Sequence, residues 1–264
     1  MKTAQQHIVL KTTDLSVGYS NKKSKTTIAS NIAIELHSGE LIGLVGANGI
    51  GKSTLLRTLT QVQPKLGGSI DINNKPLESY TSIALAKVLS LVLTESIASK
   101  NLSVFELVAL GRQPYTNWVG SLTQNDLRII NNALAQTNLQ EIKDSRCFEI
   151  SDGQLQKVMI ARALAQDTNL IILDEPTTHL DIYHKAYILK LLQKLAKENN
   201  KTILFSSHEI DLAIQLCDKI IIMTNEETII DTPENLIKNN RFSSLFPKDL
   251  ISFDQKFKSF KVNK

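Results

Sequence analysis

The sequence predicts an α/β fold built on a mostly parallel core sheet. From residue 151 onward, segments with helical periodicity alternate with the short apolar segments LIILD, TILFSS and KIIIM. Strands that alternate with helices in this way are typical of crossover connections between parallel strands. A further apolar run, LIGLVGA at residues 41–47, has the length and composition of a strand buried on both faces. We therefore expect strands of one sheet to come from both sides of the middle region.

Length and composition exclude several classes of protein. The 264 residues are 42% hydrophobic and 21% charged, which is typical of a globular protein and not of a disordered chain. A net charge of +4 is too small to indicate nucleic acid, so no such partner is expected. The N-terminal residues lack the apolar core of a signal peptide, and no run approaches the ~18 apolar residues of a membrane helix. We expect a cytosolic protein, unless a partner holds it at a membrane.

The regions outside the alternating part have patterns of their own. IVLKTTDLSVGY and IASNIAIELHSGE, in the first third, are rich in β-forming residues. A glycine loop then precedes a predicted helix from about Lys52 to Gln61. The tail, FDQKFKSFKVNK, mixes Phe and Lys; we expect an edge strand or a frayed end there, and a lipid-facing patch is the less favoured alternative.

The middle region, from about residue 95 to residue 150, is predicted to be helical. LSVFELVALGR and NDLRIINNALAQTNLQEI are amphipathic, and in the second Leu127, Ile130, Leu134 and Asn138 share one face of a helix. We interpret the region as an inserted helical subdomain. The alternative is that these helices simply flank the main sheet.

The loop GANGIGKST has the spacing of a phosphate-binding loop, G-x-x-x-x-G-K-[ST], between a buried strand and a helix. Glycines let backbone amides approach phosphate, and the helix N-terminus adds partial positive charge. The lysine can reach the β- and γ-phosphates of a nucleotide, and the serine can offer a hydroxyl to Mg²⁺. A glycine-rich turn without function is the alternative. The candidate nucleotide-binding residues are Gly46, Ala47, Asn48, Gly49, Ile50, Gly51, Lys52, Ser53 and Thr54.

A pair of carboxylates follows the strand LIILD. Asp174 stands at its carboxyl end, which is where open α/β sheets bind ligands, and could hold Mg²⁺ together with Ser53. Glu175 could orient and deprotonate an attacking water. Asp-Glu after a strand is also common as a solvated turn, but its combination with a phosphate loop favours the functional interpretation.

The stretch ISDGQLQ at residues 150–156 is polar and precedes a predicted helix. Ser151 with Gln154 three residues later is the pattern of a capping box, which needs no function beyond starting a helix. The position of this stretch between the helical region and the Asp-Glu strand suggests a second interpretation.

These motifs, in this order, resemble those of the ATP-binding subunit of an ABC transporter, and ISDGQ is similar to the family's LSGGQ signature. The resemblance covers nearly the whole chain. It implies a P-loop NTPase fold of the ABC type: a single domain over residues 1–264, with a catalytic core and antiparallel β subdomain at about 1–94 and 151–264, and a helical subdomain at about 95–150. The implied activity is hydrolysis of ATP with Mg²⁺.

The resemblance also implies roles for individual residues. Tyr19 would stack on adenine, and Lys52, Glu175 and His208 would be catalytic, His208 as the switch histidine. Asp181, in PTTHLD, would belong to the loop that communicates across a dimer. The signature residues would cap the γ-phosphate of ATP bound to a second copy of the chain; they are Ser151, Asp152, Gly153 and Gln154.

Two positions depart from the family pattern. Asp152 replaces a glycine of the signature, and we expect its carboxylate to point away from phosphate. The family usually has Gln where the strand enters the helical insert; Thr94 takes that place here, with Glu95 as an alternative one residue along. The second departure bears on contact with Mg²⁺ and with a permease.

SVFELVALGRQP and the C-terminal segment resemble the subfamily that powers uptake of iron-siderophore, haem and vitamin B12 complexes. This implies two copies of the chain beneath an integral membrane permease dimer, at the cytoplasmic face of the inner membrane, with a separate substrate-binding protein. An iron chelate is the implied cargo. The alternatives are an importer of another substrate, a soluble ABC ATPase without a membrane role, and a nucleotide-binding module that does not hydrolyse ATP.

Overall fold

The structure, a computed structural model, describes residues 7–20, 24–93, 100–247 and 249–263. Its strands are β1 (Ile8–Ser20), β2 (Lys25–Ile32), β3 (Glu35–His37), β4 (Leu41–Val45), β5 (Gly67–Ile72), β6 (Lys75–Pro76), β7 (Leu89–Val92), β8 (Leu170–Leu173), β9 (Thr202–Ser206), β10 (Lys219–Met223), β11 (Thr228–Asp231), β12 (Ile251–Asp254) and β13 (Ser259–Val262). Its α-helices are α1 (Lys52–Leu59), α2 (Ser82–Leu85), α3 (Val104–Ala109), α4 (Gln124–Gln136), α5 (Asp152–Ala165), α6 (Ile182–Asn199), α7 (Ile210–Leu216) and α8 (Pro233–Lys238). Short 3₁₀ helices lie at Leu77–Ser79, Leu110–Tyr115, Gln140–Ile142 and Arg241–Ser244.

The core sheet has the order β11-β10-β4-β9-β8-β7. All neighbours are parallel except β11, which pairs antiparallel with β10 at the edge. Every residue of β4, β8 and β9 is buried, as expected of strands covered on both faces. The prediction of a mostly parallel core sheet is confirmed. Because the strands are parallel, their carboxyl ends meet at one edge.

A second sheet, of order β2-β1-β5-β6 with β3 also paired to β1, is antiparallel throughout. Its buried side chains, such as Leu10 and Ile70, form one apolar cluster with Ile42 and Leu44 of the core sheet. This shared core places β1 and β2 beside the loop that leaves β4. The antiparallel β region predicted for the first third is therefore confirmed.

Helices α3 and α4 pack on α5 and on each other. Their buried residues, including Leu107, Ile130 and Leu134, are continuous with a cluster that reaches α6 and the core sheet. The division into a core and a helical subdomain at about 95–150 stays a prediction. Two details of the predicted helices are wrong: α1 ends at Leu59, and Asn138 lies beyond α4, exposed and with a left-handed φ of 55°.

A buried ion pair ties the helical region together. Arg112 Nε donates to Asp126 Oδ1 at 2.8 Å, with side chains only 4% and 5% exposed. The Arg112 Nη1 donates to the carbonyl of Ala165 at the end of α5, at 2.9 Å. Asp126 also accepts hydrogen bonds from the Thr123 hydroxyl and N–H, and these bonds, together with the single bond and the charge of Arg112, lower the pKa of Asp126. The Arg112–Asp126 pair therefore joins α4, the 3₁₀ turn after α3, and α5, with Arg112 making the contact to α5.

The C-terminal segment differs from both expectations for it. β12 and β13 pair only with each other among the described strands, as an antiparallel hairpin and not as an edge of either sheet or a frayed end. Phe253 is buried, stacking on Phe242 at 5.0 Å between ring centroids and meeting Phe260 edge-on at 5.1 Å. This aromatic contact anchors the hairpin. None of the helices within the described ranges is long and apolar enough to cross a membrane.

The ion pair of Arg112 yields a stability prediction. Asp126→Asn should lower the free energy of unfolding by about 3 kcal/mol, because it leaves the buried guanidinium without a counter-charge. Urea denaturation measures the change. Glu106→Gln is the matched control, since its pair with Arg146 is half exposed and screened by solvent, so its loss should change stability little. Equal losses of unfolding free energy in the two variants would show that the Arg112–Asp126 pair is no more important for stability than an exposed pair.

Candidate functional site

The glycine loop connects β4 to α1, and two of its glycines are required by close contacts. A Cβ at Gly46 would lie 2.5 Å from the carbonyl oxygen of Met223, and one at Gly51 would lie 2.4 Å from Ile28 Cγ2. Gly51 is also the N-cap of α1, with a left-handed φ of 107°. Because this N-cap has no side chain, the first amides of α1 are left open to an anion.

Lys52 opens α1 and is almost fully buried. Its Nζ donates to the carbonyls of Gly46 at 2.9 Å and Ala47 at 3.1 Å, so the cation lies across the loop. Burial lowers the pKa of Lys52, and the charges of Glu175 and Asp174 oppose that shift. The loop therefore already has an ammonium group within it.

Asp174 follows β8, and two hydroxyls converge on one of its oxygens. Ser53 Oγ donates to Asp174 Oδ1 at 3.0 Å, and Ser206 Oγ donates to the same atom at 2.7 Å. Ser206 Oγ also accepts from the backbone N–H of Glu175 at 2.8 Å. Since β4, β8 and β9 are parallel neighbours, their ends bring these groups together.

Glu175, which follows Asp174 beyond β8, adopts a left-handed φ of 49°. His208 Nε2 donates to Glu175 Oε1 at 2.7 Å, and Thr178 Oγ1 donates to Oε2 at 3.0 Å. Burial alone would raise the pKa of Glu175, but the hydrogen bonds from His208 and Thr178 and the charge of Lys52 outweigh it and lower that pKa. The carboxylate is therefore ionised at neutral pH.

Tyr19 lies on β1 at the margin of the loop. Its hydroxyl is 3.1 Å from Thr54 Oγ1, and its side chain is 58% exposed. The ring thus lies beside the phosphate loop with much of its surface open.

Ser151 to Gln154 form the turn that starts α5. Ser151 Oγ accepts from the N–H of Gln154 at 3.2 Å, and Gln154 Oε1 accepts from the N–H of Ser151 at 2.9 Å, so the predicted capping box is confirmed. Gly153 is buried against His184, while Asp152 is exposed. Asp181 caps α6 by accepting from the N–H of His184 at 2.8 Å.

The structure thus brings Lys52, Ser53, Asp174, Glu175 and His208 into one site. Within the described residues, no hydrogen bond joins the turn at 151–154 to the glycine loop at 46–54. The predicted contact position at Thr94, and its alternative at Glu95, lie outside the described residues.

Two residues of this site were not identified from sequence. Ser206 binds both Asp174 and Glu175, and Thr178 fixes the second oxygen of Glu175. The signal for Ser206 was available, because a polar residue ends the apolar strand TILFS. Its significance depends on β9 lying beside β8, which local sequence does not reveal.

Ser206 yields a second stability prediction. Ser206→Ala should lower the free energy of unfolding by about 2 kcal/mol, because it removes a hydrogen bond from a buried carboxylate oxygen and one from the partly buried Glu175 N–H. Ser244→Ala removes an exposed hydroxyl that donates to Arg241 and should cost about 0.5 kcal/mol or less. Urea denaturation measures both changes. If Ser206→Ala lowers the free energy of unfolding no more than Ser244→Ala does, the Ser206 hydroxyl does not hold these groups together.

Comparison with known proteins identifies the family. The ABC transporter family matches residues 29–178. An uncharacterised ABC transporter ATP-binding protein of Methanocaldococcus jannaschii is 41% identical over 90% of this chain and 81% of its own length. The iron(3+)-hydroxamate import ATP-binding protein of Bacillus subtilis is 36% identical over 80% of this chain and 77% of its own length.

A solved structure agrees in fold. This structure is a chain of an ABC transporter described as of putative metal-chelate type, in an inward-facing conformation. The two chains superimpose with a TM-score of 0.78 and are 24% identical in sequence. The match covers 96% of this chain and 95% of the other. The glycine loop, the Asp-Glu strand end and the sheet order are thus those of an ATP-binding cassette, and the chain belongs to the ABC transporter family.

Proposed function

We propose that the chain is the ATP-hydrolysing subunit of an importer that takes up an iron(III)-siderophore or a related metal chelate. The observation that carries the hydrolytic part is the convergence of the Lys52 and Ser53 loop with Asp174, Glu175 and His208 at one edge of the sheet. The cargo is proposed from the relatives, since the chain's own site is built for a nucleotide.

The loop at 46–54 would hold the phosphates of ATP on its backbone amides. Lys52 would exchange the carbonyls of Gly46 and Ala47 for the β- and γ-phosphates, which are stronger acceptors because they are charged. Tyr19, largely exposed beside Thr54, would stack on adenine.

Ser53 and Asp174 suit Mg²⁺ because both offer hard oxygen ligands and already share one position. With these two protein ligands, the ion would take its remaining oxygen ligands from phosphate and water. When bound, the ion would offset negative charge on the phosphates.

For hydrolysis, Glu175 would orient the attacking water and accept its proton. Thr178 fixes one oxygen of that carboxylate, and His208 binds the other. His208 would then turn to the γ-phosphate, which frees Glu175 Oε1 to receive the proton.

The turn at 151–154 would complete this site in a second copy of the chain. It begins a 14-residue helix, and its N-terminal partial charge favours an anion. We propose that it caps the γ-phosphate bound to the partner copy, which makes ATP part of a homodimer interface. The exposed carboxylate of Asp152 would point away from that phosphate, and Asp181 would lie in the same interface.

A permease dimer would hold two such chains at the cytoplasmic face of the membrane, and a separate binding protein would deliver the chelate. A groove of 1020 Å³ between α2, β7 and α5 is a suitable docking place. Leu85, Leu91 and Met159 give it apolar walls, and Arg162 is its only charged lining residue among those described. We propose that it receives an acidic cytoplasmic segment of the permease, whose charge Arg162 would complement.

The proposed role of Glu175 as the general base can be tested by substitution. Glu175→Gln should keep ATP binding, form a stable ATP-dependent dimer and hydrolyse ATP about 100-fold more slowly or worse, because an amide cannot accept the proton. Size-exclusion chromatography with ATP and a phosphate-release assay measure both effects. Glu198→Gln, an exposed residue of α6, is the control. Normal turnover by Glu175→Gln would refute its role.

The proposed cargo can be tested by uptake measurements in cells. In cells of the source organism that lack the chain, the parent protein and Glu198→Gln should restore uptake of radiolabelled iron(III)-hydroxamate, and Glu175→Gln should not. Vitamin B12 uptake, measured in parallel, should be unchanged across all strains. Normal iron-chelate uptake without the chain would overturn the proposed cargo, and altered vitamin B12 uptake would favour the alternative importer.

A further inference from the structure

The first turn of α6 contacts the signature turn of the same chain. A Cβ on Gly153 would lie 2.9 Å from His184 Cδ2 and 3.4 Å from Cγ and Nε2, so the imidazole lies against the glycine. His184 Nδ1 also donates to the Asp181 carboxylate at 2.9 Å. This bond is additional to the capping bond from the backbone N–H of His184 to the same carboxylate. One ring thus touches both the signature turn and the loop that precedes α6.

The next residue reaches the catalytic side. Lys185 Nζ forms an ion pair with Glu209 Oε1, and the two side chains are 24% and 29% exposed. Glu209 follows His208 directly, and its N–H donates to Ser207 Oγ at 2.9 Å. Lys185 therefore holds the loop that carries His208, which in turn binds Glu175.

We infer that His184 and Lys185 are positioning residues that link the signature turn to the switch loop within one chain. The inference rests on the proposed function, in which the signature turn completes the partner's ATP site while Glu175 and His208 serve the chain's own site. The first turn of α6 would then transmit the arrival of the partner's γ-phosphate at Gly153 to the position of His208, and so make the two hydrolysis events dependent on each other.

Ordinary structural roles do not account for these contacts. Capping α6 requires only the Asp181 carboxylate and the backbone N–H of His184, not a ring against Gly153. The ion pair of Lys194 with Glu198 on the same helix is exposed and joins α6 only to itself. The partly buried pair of Lys185 is different, because it connects α6 to a separate loop of the site.

Among the described residues, no hydrogen bond joins His184 or Lys185 to the loop at 46–54. Removing either side chain should therefore change the rate of ATP hydrolysis and leave ATP binding intact. Lys185→Ala and His184→Ala should each lower kcat about 5- to 10-fold, with the KM for ATP within about twofold of the parent. The Hill coefficient for ATP should fall toward 1. Lys194→Ala is the matched control and should leave kcat and the Hill coefficient unchanged.

Reversing the ion pair separates positioning from general stability. Lys185→Glu should lower kcat as Lys185→Ala does, and the double variant Lys185→Glu with Glu209→Lys should recover at least half of the parental kcat. Lys185→Arg should retain kcat.

Steady-state hydrolysis by these variants decides the inference. Parental kcat and Hill coefficient in both alanine variants, or a KM that rises with no change in kcat, would overturn it. No recovery in the reversed pair would also overturn it. If the parent neither hydrolyses ATP nor dimerises as Glu175→Gln, the proposed function itself has failed; an active parent with unaffected variants refutes only the link.

Discussion

Two serine hydroxyls share one oxygen of Asp174, and this junction fixes the geometry of the whole site. Ser53 comes from the start of α1 and Ser206 from the end of β9, while Asp174 follows β8. Since β4, β8 and β9 are parallel neighbours, their carboxyl ends lie at one edge of the sheet, where these three groups meet. The second bond of Ser206, to the N–H of Glu175, then sets the backbone of the proposed base. The packing of the buried strands thus determines where the residues of the proposed catalytic site meet.

A second constraint is the separation of the two halves of the proposed ATP site. The turn at 151–154 belongs to α5, which Arg112 and Asp126 tie to the helical region, whereas the phosphate loop belongs to the sheet. A buried ion pair contributes little net stability but is costly to break, so it holds α5 in a defined orientation. The contacts of His184 and Lys185 join this half to the catalytic loop, so the halves need not act independently.

Local motifs were sufficient to predict the parallel core sheet, the phosphate-loop candidate and the carboxylate pair, whereas His208 and Tyr19 were singled out only through the resemblance to the family. The glycine loop, the Asp-Glu strand end and the capping box each consist of residues that lie close together in the sequence. The alternation of strands and helices predicted the parallel sheet. Ser206 and Thr178 could not be found in this way, because their roles arise from contacts made in three dimensions. The C-terminal hairpin was mispredicted for a related reason: Phe253 is buried by Phe242 and Phe260, and alternating Phe and Lys do not reveal that partner.

In the proposed mechanism, the bond between His208 and Glu175 would delay hydrolysis until the site is complete. A carboxylate that accepts two hydrogen bonds has a lowered pKa and is a poor proton acceptor. Its left-handed backbone costs about 1–2 kcal/mol, which the surrounding hydrogen bonds must offset. When His208 turns to a γ-phosphate, Glu175 loses one donor and its basicity rises. In the proposed mechanism, the event that completes the site therefore also activates the base, so premature proton transfer is suppressed.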